Sequence, residues 1–139
     1  INRAETVVIP VMGTIPAGLA ADNPEVQGGR ITLDLQSLGI PRGSKPFAVR
    51  VRGDSMEGAH ICEGDHVILV QREPRSHDVV AALIDGETTL KRYLTENGQP
   101  YLKAENPRYP DLIPARELVI QGVMVGLFRG QLSQVAAEV

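Results

Sequence analysis

Phe47, Val49 and Val51 alternate with Ala48, Arg50 and Arg52, the clearest two-residue period in the chain. Such alternation marks a strand, and this one runs straight into Gly53-Asp54-Ser55. Similar signals recur on both sides of it. Thr6 to Met12 is short and β-branched, with Pro10 pointing to an edge position or a bend. Ile31, Leu33 and Leu35 alternate with Thr32 and Asp34, and Gln36 to Ile40 has room for one helical turn. Glu63-Gly64-Asp65 marks a turn before a strand from His66 to Gln71, Glu73-Pro74-Arg75-Ser76 breaks it, and Asp78 to Ile84 begins the next.

Asp85-Gly86 and Asn97-Gly98 are pairs in which both residues tolerate positive φ, as a two-residue hairpin turn requires. They predict returning strands over Thr88 to Leu94 and Pro100 to Ala104. After the irregular stretch Asn106 to Pro114, Leu118 to Phe128 is apolar on both faces, which predicts a strand packed against a second subunit as well as its own core. Gly13 to Gly29 carries Gly, Pro, Ala and Asn with only isolated apolar residues, and predicts a long surface loop. No window sustains a helical period. The expected fold is mainly β, a compact single domain of short, twisted antiparallel strands and hairpins. Within residues 1–139, residues 1–29 form the N-terminal strand plus loop and residues 30–139 the core.

Composition narrows the classes. A chain of 139 residues, 42% hydrophobic and 22% charged, is sized for one soluble domain with a real core. With 14 Lys+Arg against 17 Asp+Glu it has no nucleic-acid footprint, so this stretch is not expected to grip DNA by itself. Cys62 is the single cysteine, which excludes an internal disulfide and fits a reducing compartment, so a cytoplasmic location is expected. The longest apolar runs, such as Val79 to Ile84, fall far short of the roughly 20 residues that cross a bilayer, and no membrane association is expected. The chain begins at Ile1 and not Met, which predicts a portion of something longer.

The chemistry turns on Ser55. A Gly-Asp-Ser turn needs no function; as a nucleophile, Ser55 needs a base. No Gly-x-Ser-x-Gly elbow is present. His60 or His66 with Asp65 would complete a triad. Lys91 is the other candidate, since a lysine in apolar surroundings loses its proton more easily and can deprotonate a serine hydroxyl. Alternation puts Leu90 and Lys91 on opposite faces, so periodicity alone does not bury the lysine. Cys62 with His60 or His66 gives too few soft ligands for zinc, and no phosphate-cradling loop occurs, so no metal or cofactor is expected.

Arg52-Gly53-Asp54-Ser55-Met56, then Glu63-Gly64-Asp65 and a strand, then Asp85-Gly86-Glu87-Thr88-Thr89-Leu90-Lys91-Arg92 resembles the self-cleaving domain of LexA-type SOS repressors and their UmuD-like relatives. The likeness runs from about Ile9 through Glu105-Asn106-Pro107 to Gly122-Val123-Met124-Val125-Gly126. It implies the β fold shared by LexA and signal peptidases, with Ser55 as nucleophile and Lys91 as general base of an intramolecular serine endopeptidase. Backbone amides of Ser55 and Met56 are then the oxyanion donors. The family cuts itself between a small residue and a glycine ahead of the serine, which maps onto Ala17-Gly18, with Ile15 filling an apolar subsite. Pro16 stands where LexA itself carries alanine. It lacks an N–H and pushes Ile15 toward an extended conformation; if that N–H is needed, cleavage slows or moves to Ala20-Ala21.

The resemblance further implies a homodimer, through the strand 118–128, and a RecA filament on single-stranded DNA as the partner that favours the cleavable state. DNA binding would belong to a helix-turn-helix half upstream of Ile1. Two roles fit: a transcriptional repressor inactivated by cleavage, or a UmuD-like accessory factor of an error-prone polymerase. Ala-Gly at the cut fits the repressor, since UmuD uses a cysteine there, while Gly-Asp-Ser-Met fits the accessory factor.

Overall fold

The computed structural model of the chain describes residues 6–12, 26–34, 36, 39–40 and 43–130. Among the described residues eight strands form one sheet: β1 (Thr6–Met12), β2 (Val26–Asp34), β3 (Phe47–Arg50), β4 (His66–Val70), β5 (Val79–Ile84), β6 (Glu87–Glu96), β7 (Gln99–Lys103) and β8 (Leu118–Phe128). Their order is β2-β1-β3-β4-β8-β5-β6-β7. The mainly β expectation holds, with one departure: β1 meets β3 in parallel, through Val11 and Ala48, while the other pairings are antiparallel.

The turn chemistry acts as expected. Asp85 and Gly86 take φ of 46° and 88°, Asn97 and Gly98 take 52° and 77°, and each pair closes a tight hairpin, β5–β6 and β6–β7. Asp85 does a second job, because its carboxylate accepts the backbone N–H groups of Ala115, Arg116 and Glu117 at 2.7–2.9 Å. Those three bonds hold the acid below the usual carboxylate range and tie the chain entering β8 to the hairpin. Gly39 N–H donates to the Gln36 carbonyl at 3.1 Å, which is the single turn expected there.

Two expectations are corrected. The loop predicted over Gly13 to Gly29 ends sooner, because β2 begins at Val26. Met12 pairs with Val26 and Pro10 with Arg30 across a register shift, and ladder pairing with β1 overrides the poor strand propensity of Gly28-Gly29. β1 is also no edge strand, having β2 on one side and β3 on the other; Pro10 stands at the register shift, which is the bend and not the edge.

Alternation sorts the core into clusters on the two faces of the sheet. Phe47, Val49, Val51, Val67, Leu69, Val79, Ala81 and Leu90 pack together with Met12, Met56 and Ile61. Ala48 and Ile68, on the opposite face, join Ile9, Val11 and Ile31, and Val80, Ala82 and Ile84 join Leu102 and Val123. Because the sheet is covered on both sides, an inward position exists for either phase of a strand. β8 lies inside the sheet, paired with β4 along one edge and β5 along the other. A second copy can therefore meet this strand only through side chains, never by extending the ladder.

Candidate active site

Val51, just past the end of β3, still exchanges backbone hydrogen bonds with Gly64 and Asp65. Gly53 then turns the chain at φ 81°, where a Cβ would meet nothing within 4 Å, so backbone conformation and not space calls for glycine. Ser55 follows, half-buried. Met56 is 1% exposed and sinks into the first apolar cluster, and a 3-10 turn, Glu57–Ala59, leads away. The glycine swings the turn out and the methionine pins it down, leaving the serine hydroxyl between them.

Lys91 comes from β6, opposite Val80 of β5. Leu90 faces the first cluster, and Lys91, on the other face, is still only 8% exposed because that face is covered too. Its Nζ lies 3.0 Å from Ser55 Oγ and 2.5 Å from Thr89 Oγ1. Burial pushes the lysine pKa down, since desolvation disfavours the ammonium form. Ser55 and Lys91 open onto a cleft of about 340 Å³ lined also by Arg52, Ile84, Thr88, Tyr109 and Leu112. A deprotonated amine at this distance can take the proton of the hydroxyl, leaving the oxygen to attack an acyl carbon.

A third segment, residues 105–109, closes around the serine turn. Asn106 Nδ2 donates to the Asp54 carbonyl at 2.9 Å. The Arg108 guanidinium and the Tyr109 hydroxyl each donate to the Asp54 carboxylate, on different oxygens. The Tyr109 bond, reinforced by the Arg108 charge, holds the Asp54 carboxyl below the usual carboxylate range, and the same bond pushes the Tyr109 phenol up. On the far side of Ser55, Gly58 N–H donates to the Glu105 carbonyl at 2.8 Å. Glu105 is itself held by Arg92, whose Nε reaches its carboxylate at 2.6 Å.

The histidine alternative fails on position. His60 is exposed at the end of the 3-10 turn, at φ 61°, and His77 is exposed in a loop at φ 82°. His66 is buried in β4 with its ring 6.3 Å from that of Phe128, and burial pushes its pKa down. Asp65 orients no imidazole: its carboxylate accepts Arg129 Nε and Nη2 at 2.7 and 2.8 Å and the Cys62 N–H at 2.8 Å. Among the described residues the side-chain partner of Ser55 is Lys91. Ile15, Ala17 and Gly18 lie outside the described residues. Met12, which precedes their segment, packs in the same apolar cluster as Met56.

Sequence reasoning missed Thr89 and the 105–109 segment. Thr89 was within reach of it, since residues two apart on a strand share a face. No local signal brings Arg108 and Tyr109 to Asp54.

The family model described as peptidase S24-like matches residues 10–125. The LexA repressor of Verrucomicrobium spinosum is 71% identical over 129 residues, covering 93% of this chain and 64% of that protein. The LexA repressor of Opitutus terrae is 43% identical, covering 86% of this chain and 60% of the relative. LexA repressor 1 of Nocardia farcinica is also 43% identical, over 90% of this chain and 56% of its own length. The chain thus spans a little under two thirds of the curated relatives it resembles.

Proposed function

The chain belongs to the peptidase S24-like family, and from that premise we propose that it is the self-cleaving half of a LexA-like repressor of the SOS response. Ser55 is the nucleophile, Lys91 the general base and Ala17-Gly18 the bond cut. The observation that carries this reading is the 3.0 Å approach of a buried lysine amine to the Ser55 hydroxyl. The lysine takes the hydroxyl proton as Oγ attacks the Ala17 carbonyl carbon, and the Ser55 and Met56 amides receive the oxyanion. Lys91 then passes the proton to the Gly18 nitrogen as the C–N bond breaks. Water, deprotonated by the same amine, releases the acyl group from Ser55.

The substrate is tethered. Met12 and Val26, the register partners that flank residues 13–25, keep both ends of the segment on the sheet, so the effective concentration of the scissile bond is high. Control must come from holding the segment off the cleft or keeping Lys91 charged. In our reading a RecA filament favours the cleavable arrangement, a DNA-binding half lies upstream of Ile1, and a homodimer forms through side chains of the strand 118–128. Cleavage then parts DNA binding from dimerisation and ends repression.

Incubation from neutral to alkaline pH, with fragment masses read over time, tests the reading. Cleavage between Ala17 and Gly18 is expected at a rate independent of protein concentration, rising with pH and absent in Ser55→Ala and Lys91→Ala. A chain that stays intact at high pH, with both residues present, refutes it.

A further inference from the structure

Ser55 is bracketed. The residue before it, Asp54, is held through its carbonyl by Asn106 and through its carboxylate by Arg108 and Tyr109. Three residues after it, Gly58 is held by the Glu105 carbonyl. All four contacts come from one short segment, residues 105–109. That segment is anchored in turn to β6 by Arg92 and Glu105, and β6 carries Lys91. Ser55 and Lys91 thus sit in one closed circuit of contacts, from β6 through Glu105 to Asp54 and Gly58 and back across the 3.0 Å gap. Asp54 is the link where this circuit rests on a side chain that the serine turn itself supplies.

An aspartate in a turn after glycine needs no such partners. A surface ion pair alone is also weak, and Arg108 is mostly exposed. The arrangement differs from a simple pair because both carboxylate oxygens and the carbonyl of one residue are engaged at once by three residues, Asn106, Arg108 and Tyr109, of one four-residue stretch. That fixes rotation of the Asp54 peptide unit, and hence the direction in which the next side chain leaves the backbone.

Resting on the reading of Ser55 as nucleophile, we propose that Asp54 is a positioning residue that aims the Ser55 hydroxyl at Lys91, acting through Arg108 and Tyr109. It touches no reacting atom. Its loss leaves the base intact and misdirects the nucleophile, and misplacement by about 1 Å costs rate on the order of a hundredfold.

The test separates aim from substrate binding and from folding. Ser55 is labelled in the protein with a small, untethered sulfonyl fluoride, and the modified site is read by mass spectrometry alongside alkaline self-cleavage and thermal unfolding. Asp54→Ala, and the double variant Arg108→Met with Tyr109→Phe, are expected to slow labelling and cleavage together by about tenfold to a hundredfold. The pH midpoint of cleavage, set by Lys91, should stay put, and Asp54→Asn, which keeps the shape and one of the two acceptor oxygens, should recover part of the rate. Combining Asp54→Ala with the double variant should add little, since one contact is removed twice. The proposal is overturned if labelling keeps the unmodified rate while cleavage falls, which would make the segment a substrate wall only. It is equally overturned if the rate losses follow the thermal midpoint across the variants, or if the pH midpoint moves at constant plateau rate. Failure of the unmodified protein to label at Ser55 would instead remove the nucleophile itself.

Discussion

Thr89 Oγ1 lies 2.5 Å from Lys91 Nζ, and strand alternation sets both side chains on one face of β6. For a neutral amine this contact decides direction. An N–H given to Thr89 turns the nitrogen lone pair away from the threonine and toward Ser55. Thr89→Val, which keeps the shape and removes the acceptor, should slow cleavage about tenfold, the worth of one hydrogen bond. Thr89→Ser should keep most of the rate, and comparing the two first-order rate constants at alkaline pH checks it.

Burying Lys91 costs stability while the amine is charged. Its pKa is lowered in the folded chain by burial, so the unfolded chain binds more protons below its ordinary pKa of 10.5. Stability therefore rises with pH through that window. Lys91→Met replaces the ammonium with an apolar chain of similar length. The variant should melt a few degrees higher than the parent at neutral pH, with the gap closing toward pH 10.5. Thermal melts across that range decide it, and a lower midpoint for the variant at neutral pH would contradict the account.

Gly58 is glycine for lack of space. A Cβ there would stand 2.5 Å from the Glu105 carbonyl oxygen and 3.3 Å from its carbon. Backbone on backbone has little room to yield, so Gly58→Ala should push residues 105–109 off the serine turn. A loss of about 1–3 kcal/mol in stability is expected, as for other overpacked sites. Self-cleavage should slow with it, and denaturant unfolding together with fragment analysis would measure both.

Asp65 holds the end of β8 in place. It is 2% exposed and carries the paired Arg129 contacts at 2.7 and 2.8 Å. The Arg129 hydrogen bonds hold its carboxyl below the ordinary 3.8. A carboxylate with a depressed folded pKa stabilises above its unfolded pKa and loses that effect as pH falls through the folded value. Asp65→Asn should therefore cost about 1.5–3 kcal/mol at neutral pH. The difference should shrink in acid below the unfolded pKa, and urea titrations at both pH values would follow it.

What was legible in the chain follows from how local each signal is. Asp85-Gly86 and Asn97-Gly98 fix their hairpins because two residues hold the whole instruction, and Phe47 to Val51 declares its faces by alternation alone. Lys91 was harder. Alternation separated it from Leu90 and said nothing about whether the second face was covered, which depends on Leu102, Leu112 and Val123 arriving from elsewhere. The strand Val26 to Gly29 was hidden because its pairing with β1 outweighs the local preference of two glycines. The bracket on Asp54 was invisible for the same reason, joining residues more than fifty positions apart.

The place of β8 has a consequence for how activity comes into being. Ser55 follows β3 and Lys91 sits on β6, and the strand that joins β4 to β5 is the last of the eight. In the finished sheet β8 separates β1 to β4, which lead to Ser55, from the β5–β7 meander, which carries Lys91. Closing the sheet requires Leu118–Phe128 to slot between them, a long-range step that is slow by topology. On the proposed function, competence to cut then waits until the sheet is complete.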